Sequence, residues 1–175
     1  MANRIIHCDE QRHAAAILEI FNHAILTSTA LYDYQPRPLE SMSNWFAGKR
    51  ASQFPVVGIE DDNGTLLGFA SYGTFRAWPA YKYSVEHSIY IHQQHRGKGL
   101  GQQLLTEIIH QAEQQQKHVL IAGIDTDNSI SIALHEKNGF VRSGTLTQVA
   151  WKFDRWLDLG FWQRTLQTPI QPQAD

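Results

Sequence analysis

The feature that most constrains this chain is the stretch Gln94–Leu105, QHRGKGLGQQLL, in which glycines at 97, 99 and 101 precede a helical pattern. Glycine lets the backbone approach a ligand closely, and the N–H groups at the start of a helix bind anions. The apolar residues that follow recur at helical spacing: Leu100, Leu104, Leu105, Ile108 and Ile109. The stretch therefore predicts a loop and helix that hold a phosphate. The alternative interpretation is a tight turn without a ligand.

Two common phosphate-binding motifs do not fit the spacing of these glycines. A Walker A loop needs Ser or Thr after its Gly-Lys pair, but Lys98 is followed by Gly99. A dinucleotide-binding loop needs the spacing G-x-G-x-x-G and an acidic residue about twenty positions later, and the chain has neither. Neither motif therefore explains the glycines, and the turn without a ligand stays open at this point.

Composition limits the class of protein. The 175 residues, of which 42% are hydrophobic, suffice for one domain with a buried core. The net charge is −2 and the basic residues are scattered, so we expect no nucleic-acid partner. The sequence shows no secretion signal and no membrane-spanning apolar run, so we expect a soluble, cytoplasmic protein without a membrane partner. Cys8 is the only cysteine, which excludes an internal disulfide, and we interpret it as a small packed residue rather than a nucleophile.

Hydrophobic periodicity predicts the element order β-α-α-β-β-β-α-β-α-β-β in a single domain over residues 1–166. The polar tail at 167–175 contains two prolines, and we expect it to be flexible. The nearly uniform apolar run of the fifth strand is typical of a strand covered on both faces. The expected strands are Arg4–Cys8, Pro55–Glu60, Leu66–Thr74, Tyr83–Ile91, Val119–Ile124, Phe140–Gln148 and Leu157–Leu166. Helices are expected after the first strand, around Leu39–Ser52, after the glycines, and from Asp127 or Asn128 to Asn138.

Two motifs resemble those of the GNAT N-acetyltransferase superfamily. Gln94, Gly97 and Gly99 fit the pattern Q/R-x-x-G-x-G/A of its acetyl-CoA pyrophosphate loop, and NSISIALHEKNGF at 128–140 is similar to its pantetheine-contacting segment. The resemblance implies an α/β (α+β) GNAT fold: a mixed, mostly antiparallel central sheet of six to seven strands flanked by about four helices. It also implies acetyl-CoA as cosubstrate.

Longer segments are similar to one branch of this superfamily. They are STALYDY at 28–34, FRAWPAY at 75–81, AYKYSVEHSIYIHQQHRGKGLG at 80–101 and KFDRWLDLGFWQ at 152–163. They resemble the phosphinothricin acetyltransferases, a branch that includes enzymes acting on methionine sulfone and methionine sulfoximine. The resemblance implies transfer of acetyl to the α-amino group of such a small anionic amino acid.

The resemblance places a general base at Glu86, on the strand that leads into the glycine loop. Attack on a thioester requires a neutral amine, whereas an α-ammonium is largely protonated near neutral pH, so a base is needed. Glu86 would act directly or through a water, and its alternative interpretation is a solvated strand residue. His135 stands where many family members carry a tyrosine acid that protonates the thiolate. A histidine on a helix is otherwise structural or solvent-facing.

The resemblance also assigns the cofactor contacts. Backbone N–H groups of Ile89, Tyr90 and Ile91 would stabilise the oxyanion, while their side chains are expected in the core. Asn128 would bind CoA, cap a helix, or do both. The pyrophosphate would be held by the loop of Gly97, Lys98, Gly99, Leu100, Gly101 and Gln102, although Lys98 is alternatively a solvated charge.

The acceptor site is assigned to two segments. Arg76 can bind a carboxylate or phosphinate with its planar fork, and otherwise it is a surface arginine. The resemblance places Ala77 and Trp78 beside it, with Glu86, His87 and Ser88 opposite. The histidines at 87, 92 and 95 follow no zinc spacing, and Glu86 and His87 point to opposite faces of a strand, so we expect no metal.

Three questions stay open at this stage: the acceptor, catalysis itself, and the place of the C-terminal tryptophans. The acceptor could be another amine, such as a protein N-terminus or a polyamine, or the chain could be a non-catalytic acyl-CoA sensor. Trp151, Trp156 and Trp162 are core residues, an exposed aromatic surface, or a contact of the homodimer that the branch commonly forms. Glu86 discriminates between enzyme and sensor, because only an enzyme needs its carboxylate for turnover.

Overall fold

The computed structural model describes residues 3–174. The strands are β1 (Arg4–His7), β2 (Val56–Glu60), β3 (Leu66–Thr74), β4 (Ser84–Ile91), β5 (Val119–Asp125), β6 (Val141–Lys152) and β7 (Arg155–Thr165). The helices are α1 (Glu10–Thr27), α2 (Ser41–Ala51), α3 (Leu100–Gln114) and α4 (Ser129–Lys137), with short 3₁₀ turns at Pro79–Tyr81 and Gln93–His95. This order confirms the predicted succession of strands and helices.

The strands form one seven-stranded sheet in the order β1-β2-β3-β4-β5-β7-β6. The pairs β1·β2, β2·β3, β5·β7 and β6·β7 are antiparallel, whereas β4 and β5 are parallel. A mixed, mostly antiparallel sheet with four helices is the predicted fold class, which is confirmed. By inter-residue contacts the chain forms two compact units: one contains the described residues through Ser71 and Ser88–Glu107, and the other contains Tyr72–His87 and the residues from Ile108 onward.

Helix α1 provides the core of the first unit. Its face at Ile17, Ile20, Phe21 and Ala24 is buried, and Phe21 meets Phe69 and Tyr90 edge-on at ring-centroid distances of 5.1 and 5.2 Å. A charged cluster lies at the N-terminal end of α1. The buried carboxylate of Glu60 accepts hydrogen bonds from Arg4, Arg12 and His13 at 2.8, 2.9 and 2.9 Å. These donors compensate the cost of burying its charge.

Strand β5 is the centre of the second unit. Residues Ser84–Glu86 of β4 pair with it in parallel, with Glu86 opposite Ile121, and β7 pairs along its other edge. Leu120, Ile121, Ala122 and Ile124 are buried, as predicted for a strand covered on both faces. Gly123 is the exception, because it is exposed.

The last hairpin differs from the prediction. Strand β6 continues to Lys152 rather than ending at Gln148, and β7 begins at Arg155. The connecting residues Phe153 and Asp154 both have positive φ, 52° and 57°. Such a two-residue turn usually carries Asn-Gly or Asp-Gly, and neither pair is present at this position.

The tail lacks regular structure but makes specific hydrogen bonds. The hydroxyl of Thr168 donates to the carbonyl of Lys117 at 2.5 Å, and the N–H of Gln173 donates to the Tyr83 hydroxyl at 3.0 Å. Its expected flexibility stays a prediction. Within residues 3–174, no helix is long and apolar enough to cross a membrane.

Candidate functional site

Glu86 is the third residue of β4 and is half-buried. Burial raises the pKa of its carboxyl above the usual range, because the charged form loses hydration, and the nearby positive charge of Arg76 opposes this rise. A carboxyl whose pKa moves toward neutrality is suited to accept a proton at the working pH.

His87, the next residue on β4, points to the opposite face and is 6% exposed. Its Nε2 lies 2.9 Å from Nε2 of His135, and both rings pack against Phe140 at centroid distances of 5.3 and 5.1 Å. His135 is equally enclosed, at 5% exposed. The structure therefore joins two histidines that the sequence interpretation treated separately.

Hydrogen bonding determines the tautomers of this pair. Nδ1 of His135 lies 2.7 Å from the carbonyl oxygen of Ser131, which can only accept, so this nitrogen carries the proton. When His135 is neutral, its Nε2 is then the acceptor, and His87 donates from its own Nε2. Both ring nitrogens of His135 are engaged in this arrangement, and its role as an acid stays a prediction.

The segment after β3 carries the candidate acceptor residues. Arg76, Ala77 and Trp78 are all exposed, and the Trp78 side chain retains 67% of its accessible surface. The guanidinium of Arg76 lies over the Phe75 ring at 5.4 Å, and Ser88 on β4 is also exposed. These residues are accessible to a small polar ligand.

The glycine loop has the backbone that its sequence predicts. Gly97 and Gly99 have φ values of +73° and +76°, which side-chain-bearing residues rarely adopt. Alternation of this conformation along a loop can turn successive N–H groups to one side and form an anion-binding nest. Leu100 then begins α3 and is buried, while Gln102 bonds to Thr106 on the next turn at 3.2 Å.

The C-terminal half of β4 is anchored by Tyr90. Its ring packs against Phe21 and Phe69, which confirms that this side chain belongs to the core. Ile89 and Ile91 are half-buried. The Tyr90 ring therefore packs this part of β4 against the core.

Asn128 caps α4, as the sequence predicts. Its side-chain oxygen accepts from the N–H of Ser131 at 3.1 Å. The sequence did not reveal the supporting network. Arg155 donates to Asp125 at 3.2 Å and to Asp127 at 3.0 Å, which ties the turn before Asn128 to the tip of the last hairpin.

Other side chains offer little further chemistry. Burial raises the pKa of the Cys8 thiol to about 12, so it stays protonated and is a poor nucleophile. In the part of the chain that the structure describes, no group of three or more His, Cys, Asp or Glu residues is arranged to hold a metal ion.

Residues 17–140 match the acetyltransferase (GNAT) family, and the chain belongs to this family. The L-amino acid N-acyltransferase MnaT of Escherichia coli K12 is 41% identical over 160 residues, covering 91% of this chain and 92% of that protein. The L-methionine sulfoximine/L-methionine sulfone acetyltransferase of Salmonella typhimurium LT2 is 39% identical over 165 residues, covering 94% and 96%.

The chain is also similar to a solved structure. A GNAT superfamily phosphinothricin acetyltransferase from Sinorhizobium meliloti, in complex with AcCoA, has a TM-score of 0.93 and 30% identity, with 100% of this chain and 95% of that chain covered. The predicted superfamily, its branch and its class of N-acetyltransferase are confirmed by these findings.

Proposed function

We propose that the protein transfers an acetyl group from acetyl-CoA to the α-amino group of a small anionic amino-acid analogue. L-Methionine sulfoximine, L-methionine sulfone and phosphinothricin are the candidate acceptors, because similar proteins carry these names. The observation that carries the proposal is the half-buried Glu86, whose pKa burial raises. An acyl-CoA sensor would have no use for such a group.

Glu86 acts as the general base of this reaction. It removes a proton from the ammonium group of the acceptor, directly or through a water, and the neutral amine attacks the thioester carbonyl. The transfer is direct, without an acyl-enzyme on Cys8, because burial raises the pKa of that thiol to about 12 and keeps it protonated. The leaving thiolate takes up a proton, and His135 remains the candidate donor.

The cofactor contacts follow from the backbone of three segments. N–H groups at Ile89, Tyr90 and Ile91 stabilise the oxyanion, and Asn128 bonds to CoA in addition to capping α4. The loop of Gly97, Lys98, Gly99, Leu100, Gly101 and Gln102 binds the pyrophosphate through its N–H groups. The positive φ values of Gly97 and Gly99 support this assignment.

Arg76 binds the anionic end of the acceptor. Its guanidinium is exposed and close enough to Glu86 to influence that carboxyl, so an acceptor bound by Arg76 lies near the base. Ala77, Trp78 and Ser88 complete the site. His87 contributes through its backbone, because its ring is enclosed by His135 and Phe140.

The test is CoA release, followed with a thiol reagent, from purified protein and acetyl-CoA. The panel contains the three candidate acceptors, ordinary L-amino acids and polyamines. We expect rapid turnover with the tetrahedral sulfur and phosphorus compounds. Turnover confined to polyamines would contradict the anionic site, and tight acetyl-CoA binding without turnover on any compound would favour the sensor.

Assembly and location stay predictions: a homodimer in the cytoplasm, with one domain over residues 1–166 and without a nucleic-acid or membrane partner. The homodimer has structural support in the last hairpin. Trp151 and Trp156 are 44% and 54% exposed and lie in mutual contact at 5.2 Å, whereas Trp162 is buried. Sedimentation analysis of a variant with both exposed tryptophans changed to serine tests this, and a wild-type monomer would contradict it.

A further inference from the structure

Gly123 interrupts the apolar strand β5 and is exposed, although its neighbours Ala122 and Ile124 are buried. A glycine inside a strand often marks a close approach of another group to the backbone. Its φ is not in the left-handed region, so the backbone conformation does not require glycine at this position. The reason for a glycine must therefore lie in the space around it.

The strand register puts Gly123 on the same face as Glu86. Glu86 of β4 is paired with Ile121 of β5, and Gly123 lies two residues further along β5. Side chains two residues apart on a strand point to the same face, so the carboxyl of Glu86 leans over Gly123.

The Glu86 carboxylate occupies the space that a side chain at position 123 would need. A Cβ atom added there would lie 2.9 Å from Oε1 of Glu86, 3.4 Å from Cδ1 of Leu159 and 3.8 Å from Cε1 of Phe161. A contact below 3.0 Å forces a shift. Leu159 and Phe161 belong to β7, so apolar carbon atoms of that strand also limit the space at position 123.

We propose that Gly123 is a positioning residue for acetyl transfer: its missing side chain lets the Glu86 carboxylate lie against β5 in the orientation that meets the acceptor amine. This inference rests on the proposed function of Glu86 as the base. The role is specific to the reaction rather than to folding, because the displaced atom is the end of a flexible side chain and can move at little cost.

The test is the Gly123→Ala variant, with Gly144→Ala as its matched control. Gly144 lies on β6, has no positive φ, and has no atom within 4 Å of an added Cβ. We expect Gly123→Ala to keep the wild-type melting temperature and its KM for acetyl-CoA, and to lose kcat about 10- to 100-fold through misplacement of the carboxylate. Gly144→Ala should retain wild-type kinetics.

A second variant tests the coupling between the two positions. Glu86→Asp shortens the side chain and relieves the contact, so its effect on kcat should be smaller in the Gly123→Ala background than in the wild type. Additive effects, wild-type kcat in Gly123→Ala, or failure of Gly123→Ala to fold would each overturn the inference. Loss of activity in Glu86→Gln but not in Gly123→Ala would refute only the positioning role. Full activity in Glu86→Gln would instead refute the proposed base.

Discussion

The buried pair of His87 and His135 predicts a loss of stability between pH 6.5 and pH 5, above the pH range in which carboxyl groups with ordinary pKa values titrate. Burial lowers the pKa of His87 to about 3, and burial also lowers the pKa of His135. A histidine in the unfolded chain has a pKa of about 6.5. Between these values the unfolded chain binds a proton that native His87 does not bind, so stability is complete above this range and declines as the pH decreases.

The size of this effect follows from the pKa difference. One such histidine lowers the free energy of unfolding by up to about 1.4 kcal/mol per pH unit, and by about 1.6 kcal/mol between pH 6.5 and 5 because the unfolded histidine is only half protonated at pH 6.5. His135 adds to this loss of stability with the same sign.

Glu60 affects stability in a different pH range, because its pKa is lowered, chiefly by the hydrogen bond from His13. Its stabilisation is present above the ordinary glutamate pKa and is lost only below about pH 4.3.

Urea unfolding followed by tryptophan fluorescence measures this dependence in wild type and in His87→Phe. Phenylalanine keeps a ring in the pocket but cannot bind the proton, so the slope of unfolding free energy against pH should fall by up to about 1.4 kcal/mol per unit. His110→Gln, at an exposed position of α3, is the control and should leave the slope unchanged. Equal slopes in wild type and His87→Phe would refute the interpretation that His87 is buried in its neutral form.

Two further substitutions test the cap and the buried carboxylate. Asn128→Ala removes the acceptor for the Ser131 N–H and should cost about 1 kcal/mol of stability while raising the KM for acetyl-CoA. Asn128→Asp keeps the acceptor and the stability, and equal melting temperatures of the two variants would contradict the cap. Glu60→Gln should cost about 2 kcal/mol in urea unfolding, because the charged partner of Arg12 and His13 is lost. Wild-type stability in Glu60→Gln would show that this network contributes nothing.

The elements could be predicted from sequence because each has a clear pattern and a clear end. The face of α1 repeats at helical spacing, and Gly64, at a φ of 79°, ends the turn between β2 and β3. The hairpin tip at Phe153 and Asp154 could not be predicted, because phenylalanine is unusual at positive φ and no glycine accompanies Asp154.

The site could be predicted only in part, because its geometry depends on strand register. Motifs place Glu86 and Asn128 along the chain, but no local pattern shows that Glu86 pairs with Ile121 or that His87 meets His135. Gly123 carried a weak signal, as a glycine within an apolar run, and this indicates a close approach without identifying the group that approaches.

The most direct test of the account compares Glu86→Gln with wild type in CoA release from acetyl-CoA and L-methionine sulfoximine, with acetyl-CoA affinity measured separately by calorimetry. The amide preserves the shape of the side chain but cannot accept the proton. We predict a loss of about 100-fold or more in kcat at unchanged acetyl-CoA affinity. Wild-type kcat in Glu86→Gln would contradict the assignment of Glu86 as the general base.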